Sequence, residues 1–212
     1  MTTVILGDSR LKGLHRFEGF QAQNIHLNIR SGAKLSDQKR FIKQRWLRHI
    51  RGRKLFLVCL GINDIPENIG TLSTPRQQEE LSKVKGKINS VIDNIKRYHP
   101  QSQTVFATIP PKDVRKSAEK YPHKSLVSAE NVTEIIQLDF ENFVEKINNT
   151  INSFNRDETG NHLALHKFIR IRRGHRRSKF YYNKFRDGLH PFRELKRVWA
   201  NEILKIKAQL GF

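Results

Sequence analysis

The chain has 212 residues, enough for one domain with a proper core and too few for two comfortable ones. Hydrophobic residues at 37% and charged residues at 28% exclude a disordered chain, and a single cysteine, Cys59, excludes an intrachain disulfide framework. Forty Lys and Arg against twenty Asp and Glu give a net charge of +20 and a sequence pI near 10.4, above the value of about 9 that marks nucleic-acid-binding domains. Such a surface draws polyanions: RNA, DNA or an anionic membrane face.

The N-terminus, "MTTVILGDSR", lacks the basic region, long apolar segment and cleavage site of a secretory signal. No apolar run approaches the roughly 20 residues that span a bilayer. An intracellular location, cytoplasmic or nuclear, is therefore expected, although a piece of a longer protein would look the same. The formal glycosylation sequons at Asn131 and Asn148 are read as chance.

"TVILGDS" opens the chain with a short β-rich run that ends in a tight turn. "IHLNI" alternates as a second strand closed by "RSGA", and "KLSDQKRFIKQRWLRHI" follows with helical spacing of Leu35, Phe41, Ile42, Trp46 and Leu47. "KLFLVCLG" is a continuous apolar run, the pattern of a strand covered on both faces. In "STPRQQEELSKVKGKINSVIDNIKRYH" a helix is expected with Thr74 as N-cap, Pro75 first in the helix and Gln77 completing a capping box. "QTVFATIPP" reads as a strand, "SAENVTEIIQLDFENFVEKINNTINSFN" as a helix, "NHLALHKFI" as a fifth strand and "FRELKRVWANEILKIKAQL" as a final amphipathic helix. "KDVRKSAEKYPHKSLV" stays unassigned. Strand and helix alternate throughout, which predicts a parallel sheet with helices on both faces, so chemistry is sought at the carboxyl ends of the strands.

Gly7-Asp8-Ser9 follows the first strand, Gly32-Ala33 the second and Gly61-Ile62-Asn63-Asp64 the third; Asp187 and His190 stand near the C-terminus. Acyl transfer needs these parts. A serine at a tight turn presents its hydroxyl, neighbouring N–H groups and an amide face an oxyanion, and a histidine oriented by a carboxylate takes the proton. Each piece alone is an ordinary turn or surface feature: Asn63 and Asp64 serve equally well as loop caps, and a lone Asp-x-x-His is common surface polarity. Their joint order along successive strand ends is what points to catalysis.

This joint pattern, "GDS", "GIND" and "DGLHP" with the single Gly32 of "RSGAKLSD", resembles the SGNH (GDSL-type) hydrolase superfamily from Gly7 to the last helix. The resemblance implies a three-layer α/β/α sandwich around a five-stranded parallel sheet, flavodoxin-like in class, and a serine esterase without metal or organic cofactor. It implies Ser9 as nucleophile and N–H donor, the Gly32 N–H and the Asn63 side chain as further oxyanion donors, His190 as general base and Asp187 as its orienter. Arg10 departs from the family, where an apolar residue often follows the serine. It binds an acidic group of the substrate or a phosphate, or points to solvent, and solvent is the preferred expectation. The basic balance also looks like the esterase domain of first-open-reading-frame proteins of some non-LTR retrotransposons.

Residues 167–186 carry no acidic residue and form a basic segment inserted before the Asp-His block of a single domain spanning 1–212. Here Arg170, Arg172, Arg173, Arg176, Arg177 and Lys179, with Arg10, are the candidate contacts for nucleic acid or an anionic lipid surface. Cations interleaved with aromatics suit single-stranded nucleic acid, where rings stack on bases. Phe180 and Phe185 are expected to anchor the segment on the core, while Tyr181 and Tyr182 are open. Cys59, inside an apolar strand, is read as a buried hydrophobe, and Trp46 and Trp199 as core. His162 and His166, on a predicted strand, are read as partly exposed. The expected function is therefore hydrolysis of acetyl, short acyl or lipid esters beside an anion-attracting surface. The alternative is a catalytically weak module of the same fold that binds RNA or DNA. The oligomeric state is left open.

Overall fold

The computed structural model describes all residues except 22, 23, 124 and 172–178. Strand β1 (Thr2–Gly7) lies at the centre of the sheet. Strand β2 (Ile25–Ile29) pairs with it on one side and β3 (Lys54–Cys59) on the other, both parallel, in the register Ile5↔Leu27 and Ile5↔Leu57. Between β2 and β3 run two short helices, α1 (Gln38–Ile42) and α2 (Arg45–His49), where the spacing predicts one continuous helix. Leu47 points into the core, but Trp46 is 44% exposed, against expectation: the break at Lys43-Gln44 rotates it out, onto His26 and the edge of Phe41.

After β3 comes α3 (Thr74–Tyr98), then β4 (Gln103–Phe106), parallel to β3. The helix begins one residue earlier than expected. Ser73 is its N-cap and no capping box forms, because the Gln77 amide donates instead to the Ile69 and Leu72 carbonyls. The segment that periodicity leaves unassigned contains α4 (Val114–Lys120), capped by Asp113, and α5 (Glu134–Glu158) follows it.

The sheet order is β2-β1-β3-β4, four strands where five were expected. The side chains of α5 explain the difference. Asn155 is fully buried and grips the outer edge of β4 like a strand, its Oδ1 accepting from Phe106 N at 2.9 Å and its Nδ2 donating to Phe106 O at 2.7 Å. Asn148, two turns earlier on the same helix face, does the same to Ile109. Only Thr108 N is left between them, and it bonds Leu163 O in a single parallel bridge. The chain then turns into a 3₁₀ helix at Leu165–Ile169 rather than a strand.

Beyond it, β5 (Arg170–Ile171) and β6 (Lys179–Phe180) form a short antiparallel ribbon within the basic segment, and α6 (Arg193–Gln209) closes the chain. Alternate residues of the buried strands face opposite layers. Val4, Leu6, Phe56, Val58 and Phe106 pack against α1, α3 and α5. Ile5, Leu55, Leu57 and Val105 pack against Leu11, Leu14, Leu165 and the Leu195, Trp199 and Ile203 stripe of α6. The result is the α/β/α arrangement. Trp199 is 1% exposed, as expected, and Phe185 packs against it at 6.3 Å. Phe180 also packs on this core, partly buried. No described helix is long and apolar enough to cross a membrane.

Candidate active site

The chain leaves β1 for β2 on one side and returns to β3 on the other, so loops diverge at the carboxyl ends of β1 and β3. That is where an open parallel sheet opens a crevice. Gly7 ends β1 in tight quarters, since a Cβ there would lie 2.9 Å from Leu11 Cδ1. Asp8 then caps a 3₁₀ turn, Ser9–Leu11, by accepting from Arg10 N at 2.9 Å.

Arg10 corrects the expectation made for it. It is 4% exposed, and its guanidinium turns back onto Asp8, which is 1% exposed. Nη2 donates to Oδ2 at 2.7 Å, Nε to Oδ1 at 3.0 Å, and Nη1 reaches the Pro110 carbonyl at 3.3 Å. With its hydrogen bonds met, the pair is a buried clamp that satisfies both charges and stiffens the turn. Arg10 therefore faces neither solvent nor an external anion.

The clamp leaves Ser9 half-buried, with Oγ 2.9 Å from His190 Nε2. His190 Nδ1 lies 2.8 Å from Asp187 Oδ2. The "DGLHP" loop that supplies both is closed by Arg186 N donating to His190 O and by an isolated bridge between Phe185 and Pro191. Gly188 is required within it: its φ is +75°, and a Cβ would stand 2.8 Å from Asp113 O. Asp113 N donates to Gly188 O and docks the loop on α4.

Asp187, 7% exposed, also accepts from His190 N at 2.7 Å, from Leu189 N at 3.2 Å and from the Tyr121 hydroxyl at 2.9 Å. Burial pushes this carboxyl upward, but the bonds from the His190 backbone, the His190 ring and Tyr121 outweigh it and hold it down at about 2. Tyr121 shifts the opposite way, upward, because its hydroxyl donates to Asp187. Its ring also meets His190 edge-on at 6.4 Å. Nothing in the sequence marks Tyr121: it sits 66 positions from Asp187, in a segment without apolar periodicity.

The β2 loop reaches the same crevice through Ser31, and the β3 loop is tied to the β2 loop. Gly32, exposed at φ +69°, turns the chain after β2, and no described acceptor takes its N–H. Neighbouring Ser31 lines one cleft with Ser9 and His190. Gly61 allows the loop after β3 to pass close to Ile109, where a Cβ would stand 2.5 Å from Cδ1. Asn63 then donates Nδ2 to Ala33 O at 3.0 Å, which ties the β3 loop to the β2 loop and leaves its second amide N–H without a described partner. Asp64 adds a second tie, accepting from Leu35 N at 2.8 Å.

The basic candidates lie elsewhere. Arg170 pairs with Glu145 at 2.7 Å and its guanidinium stands 5.7 Å from the centre of the Phe180 ring. Lys179 belongs to β6 through its backbone. Arg172, Arg173, Arg176 and Arg177 fall outside the described residues. Tyr182 is tied inward, donating to Glu141 at 2.6 Å and accepting from Gln137 at 2.8 Å.

His166 is in the 3₁₀ helix, not on a strand face; burial holds it down at about 4, and Nδ1 lies 2.6 Å from Thr108 Oγ1. Cys59 is buried, with burial and the nearby Asp8 pushing its thiol up to about 12, so it stays protonated and inert.

A parallel α/β/α fold in which the turn after β1 and the loop before α6 join serine, histidine and aspartate in one hydrogen-bonded chain defines a class: SGNH-type carboxylic ester hydrolases. A profile of the family described as "GDSL-like Lipase/Acylhydrolase" matches residues 5–203, and the chain belongs to that family. No curated protein sequence matches it significantly.

Solved structures share the fold. A GDSL-like lipase from Bacteroides thetaiotaomicron superposes with a TM-score of 0.66 at 14% identity, covering 99% of this chain and 88% of that one. A carbohydrate esterase of family 3 from Talaromyces cellulolyticus gives 0.59 at 15% identity, over 99% and 98% of the two chains. The acetyl xylan esterase AlAXEase gives 0.57 at 15%, over 97% and 99%.

Proposed function

We propose that the chain hydrolyses carboxylic esters through an acyl-enzyme on Ser9. The observation that carries this is the unbroken relay of Ser9 Oγ, His190 and Asp187, at 2.9 and 2.8 Å. His190 Nε2 takes the Ser9 proton as Oγ bonds the ester carbonyl carbon. The oxygen that becomes negative accepts from the Ser9 and Gly32 backbone N–H groups and from the second amide hydrogen of Asn63. Collapse breaks the bond to the alcohol, which leaves with the proton from His190. Water then adds to the acyl group, giving its proton to His190, and the acid departs as Ser9 is restored. Asp187 keeps the Nδ1–H tautomer facing itself and offsets the imidazolium charge.

Acetyl and short acyl esters are the substrates we put first, in keeping with the acetyl xylan esterase among the structural relatives. Ser9→Ala, at a half-exposed turn held by the Asp8–Arg10 clamp, is expected to keep the fold. It should lower turnover of p-nitrophenyl acetate to background; equal turnover by the variant refutes the proposal. The net charge of +20 supports an accompanying association with nucleic acid or an anionic membrane. Steeply salt-dependent binding of a single-stranded oligonucleotide or anionic vesicles, unchanged by Ser9→Ala, is its expected signature.

A further inference from the structure

The cleft that holds Ser9 and His190, about 630 Å³ in volume, is lined by Lys12, Arg16, Arg186, Arg193 and Lys196 and by no acidic residue. These five cations come from three separate parts of the chain: the loop after β1, the "DGLHP" loop and the first turn of α6. None of them forms an ion pair among the described residues. Some cations elsewhere do pair, as Lys87 with Asp64, Lys112 with Glu67 and Arg170 with Glu145.

The crowding is tight enough to be felt within the cluster. Lys196 is half-buried, its ammonium donating to Lys12 O at 3.0 Å. Burial first, then the charges of Arg186 and Arg16, lower its pKa. The amino end of α6 adds to the field. Phe192 caps it without a side-chain hydrogen bond, and Pro191, Phe192 and Arg193 all line the cleft. The acid of that first turn, Glu194, lines the neighbouring groove with Phe168 and Leu195 instead.

Like charges held together without counter-ions destabilise a fold unless a ligand supplies the opposite charge. We propose that the ester taken by this cleft carries a phosphate-like dianion beside its acyl group, gripped by Arg16, Arg186 and Arg193 with Lys12 and Lys196. Guanidinium groups give the forked donors that phosphate oxygens accept. Phe17 and Phe192, also on the cleft wall, offer apolar surface to the uncharged part of the substrate. The inference rests on Ser9 as nucleophile for the reaction, but the anion site is defined by its own residues.

The test compares 4-acetoxyphenyl phosphate with the neutral 4-methylphenyl acetate, in the wild type and in the exposed triple variant Arg16→Gln/Arg186→Gln/Arg193→Gln. In low salt the wild type should favour the anionic ester. The ratio of the two kcat/KM values should fall by about tenfold or more in the variant, the effect of losing at least one charge-assisted hydrogen bond. It should fall likewise at about 0.5 M salt, where the screening length is only about 4 Å. A ratio that does not move overturns the proposal.

Calorimetry of 4-hydroxyphenyl phosphate with the Ser9→Ala protein reads the anion site apart from the chemistry. Binding that the three substitutions abolish supports the site; no binding, or binding they leave intact, overturns it. The esterase reading fails separately, if Ser9→Ala hydrolyses the neutral ester as fast as the wild type. Dihexanoyl phosphatidate, as a third substrate, distinguishes the sources of the phosphate. Preference for it over 4-acetoxyphenyl phosphate assigns a lipid headgroup, and the reverse order a small soluble phosphate ester.

Discussion

Tyr121→Phe removes one hydroxyl and nothing else from the relay, because the ring keeps its edge contact with His190. The lost bond is the 2.9 Å one to Asp187 Oδ2, the same oxygen that faces His190 Nδ1. A hydrogen bond to a charged group is worth roughly 1.5–3 kcal/mol. Tyr121 is partly exposed and water can take its place, so the figure is discounted to about 1 kcal/mol. The carboxylate keeps its bonds from His190 N and Leu189 N, so it stays ionised, but its grip on the imidazole is shared with solvent. On the serine-esterase proposal, about 1 kcal/mol of lost transition-state stabilisation is about fivefold in kcat/KM. The assay is p-nitrophenyl acetate hydrolysis as a double-mutant cycle with Asp187→Asn. Tyr121 acts through the Asp187 carboxylate, so once Asp187→Asn is in place its removal should change the rate by less than about twofold. A full fivefold loss in that background would refute the positioning role and leave Tyr121 with an independent part in binding or packing.

Further expectations concern the scaffold. Arg10→Met strands the Asp8 carboxylate in a dry site and should destabilise the protein by about 3–5 kcal/mol, read from the urea midpoint; replacing both residues by apolar ones should recover much of it. Asn155→Ala unpairs both the N–H and the carbonyl of Phe106 at the buried sheet edge. About 2–5 kcal/mol should be lost, and amide exchange at Phe106 should accelerate with it. Asp187 has a depressed pKa, so it favours the folded state above its ordinary value of 3.8. That contribution is lost as the pH falls toward about 2. The stability gap between wild type and Asp187→Asn should therefore narrow between about pH 4 and pH 2, and a gap that persists below that window would show the contribution to be packing rather than charge.

Much of this protein is legible in one dimension because its signals are local. The apolar runs of β1 and β3 are continuous since both faces of a central parallel strand are covered. Gly7-Asp8-Ser9 must be a tight turn where it interrupts such a run. Gly188 and Pro191 bracket His190 in a loop only three residues from Asp187, so their proximity follows from covalent geometry alone. The amphipathic stripe of α6 placed Trp199 in the core for the same reason.

What stayed hidden depends on partners distant in sequence. Whether Arg10 looks outward was settled by Asp8 two residues away and by the Pro110 carbonyl one hundred positions away, since burial of the turn makes an unpaired guanidinium too costly. Asn148 and Asn155 read as ordinary polar positions of a helix until α5 is laid along β4, where their amides fill the hydrogen-bonding edge and stop the sheet at four strands. Tyr121 carries no pattern at all, and of the five cations around Ser9 only Arg186 belongs to the basic segment, for side chains converge on a cleft by the crossing of elements, not by spacing along one. The sequence by itself determined the alternation of strand and helix, the two turns that bear Ser9 and His190, and the family, because period and turn chemistry act within a few residues. Tertiary structure alone decided which charges pair, which stand unpaired around the cleft, and where the sheet ends, because hydrogen bonds and Coulomb forces act between whatever the fold brings within a few ångströms.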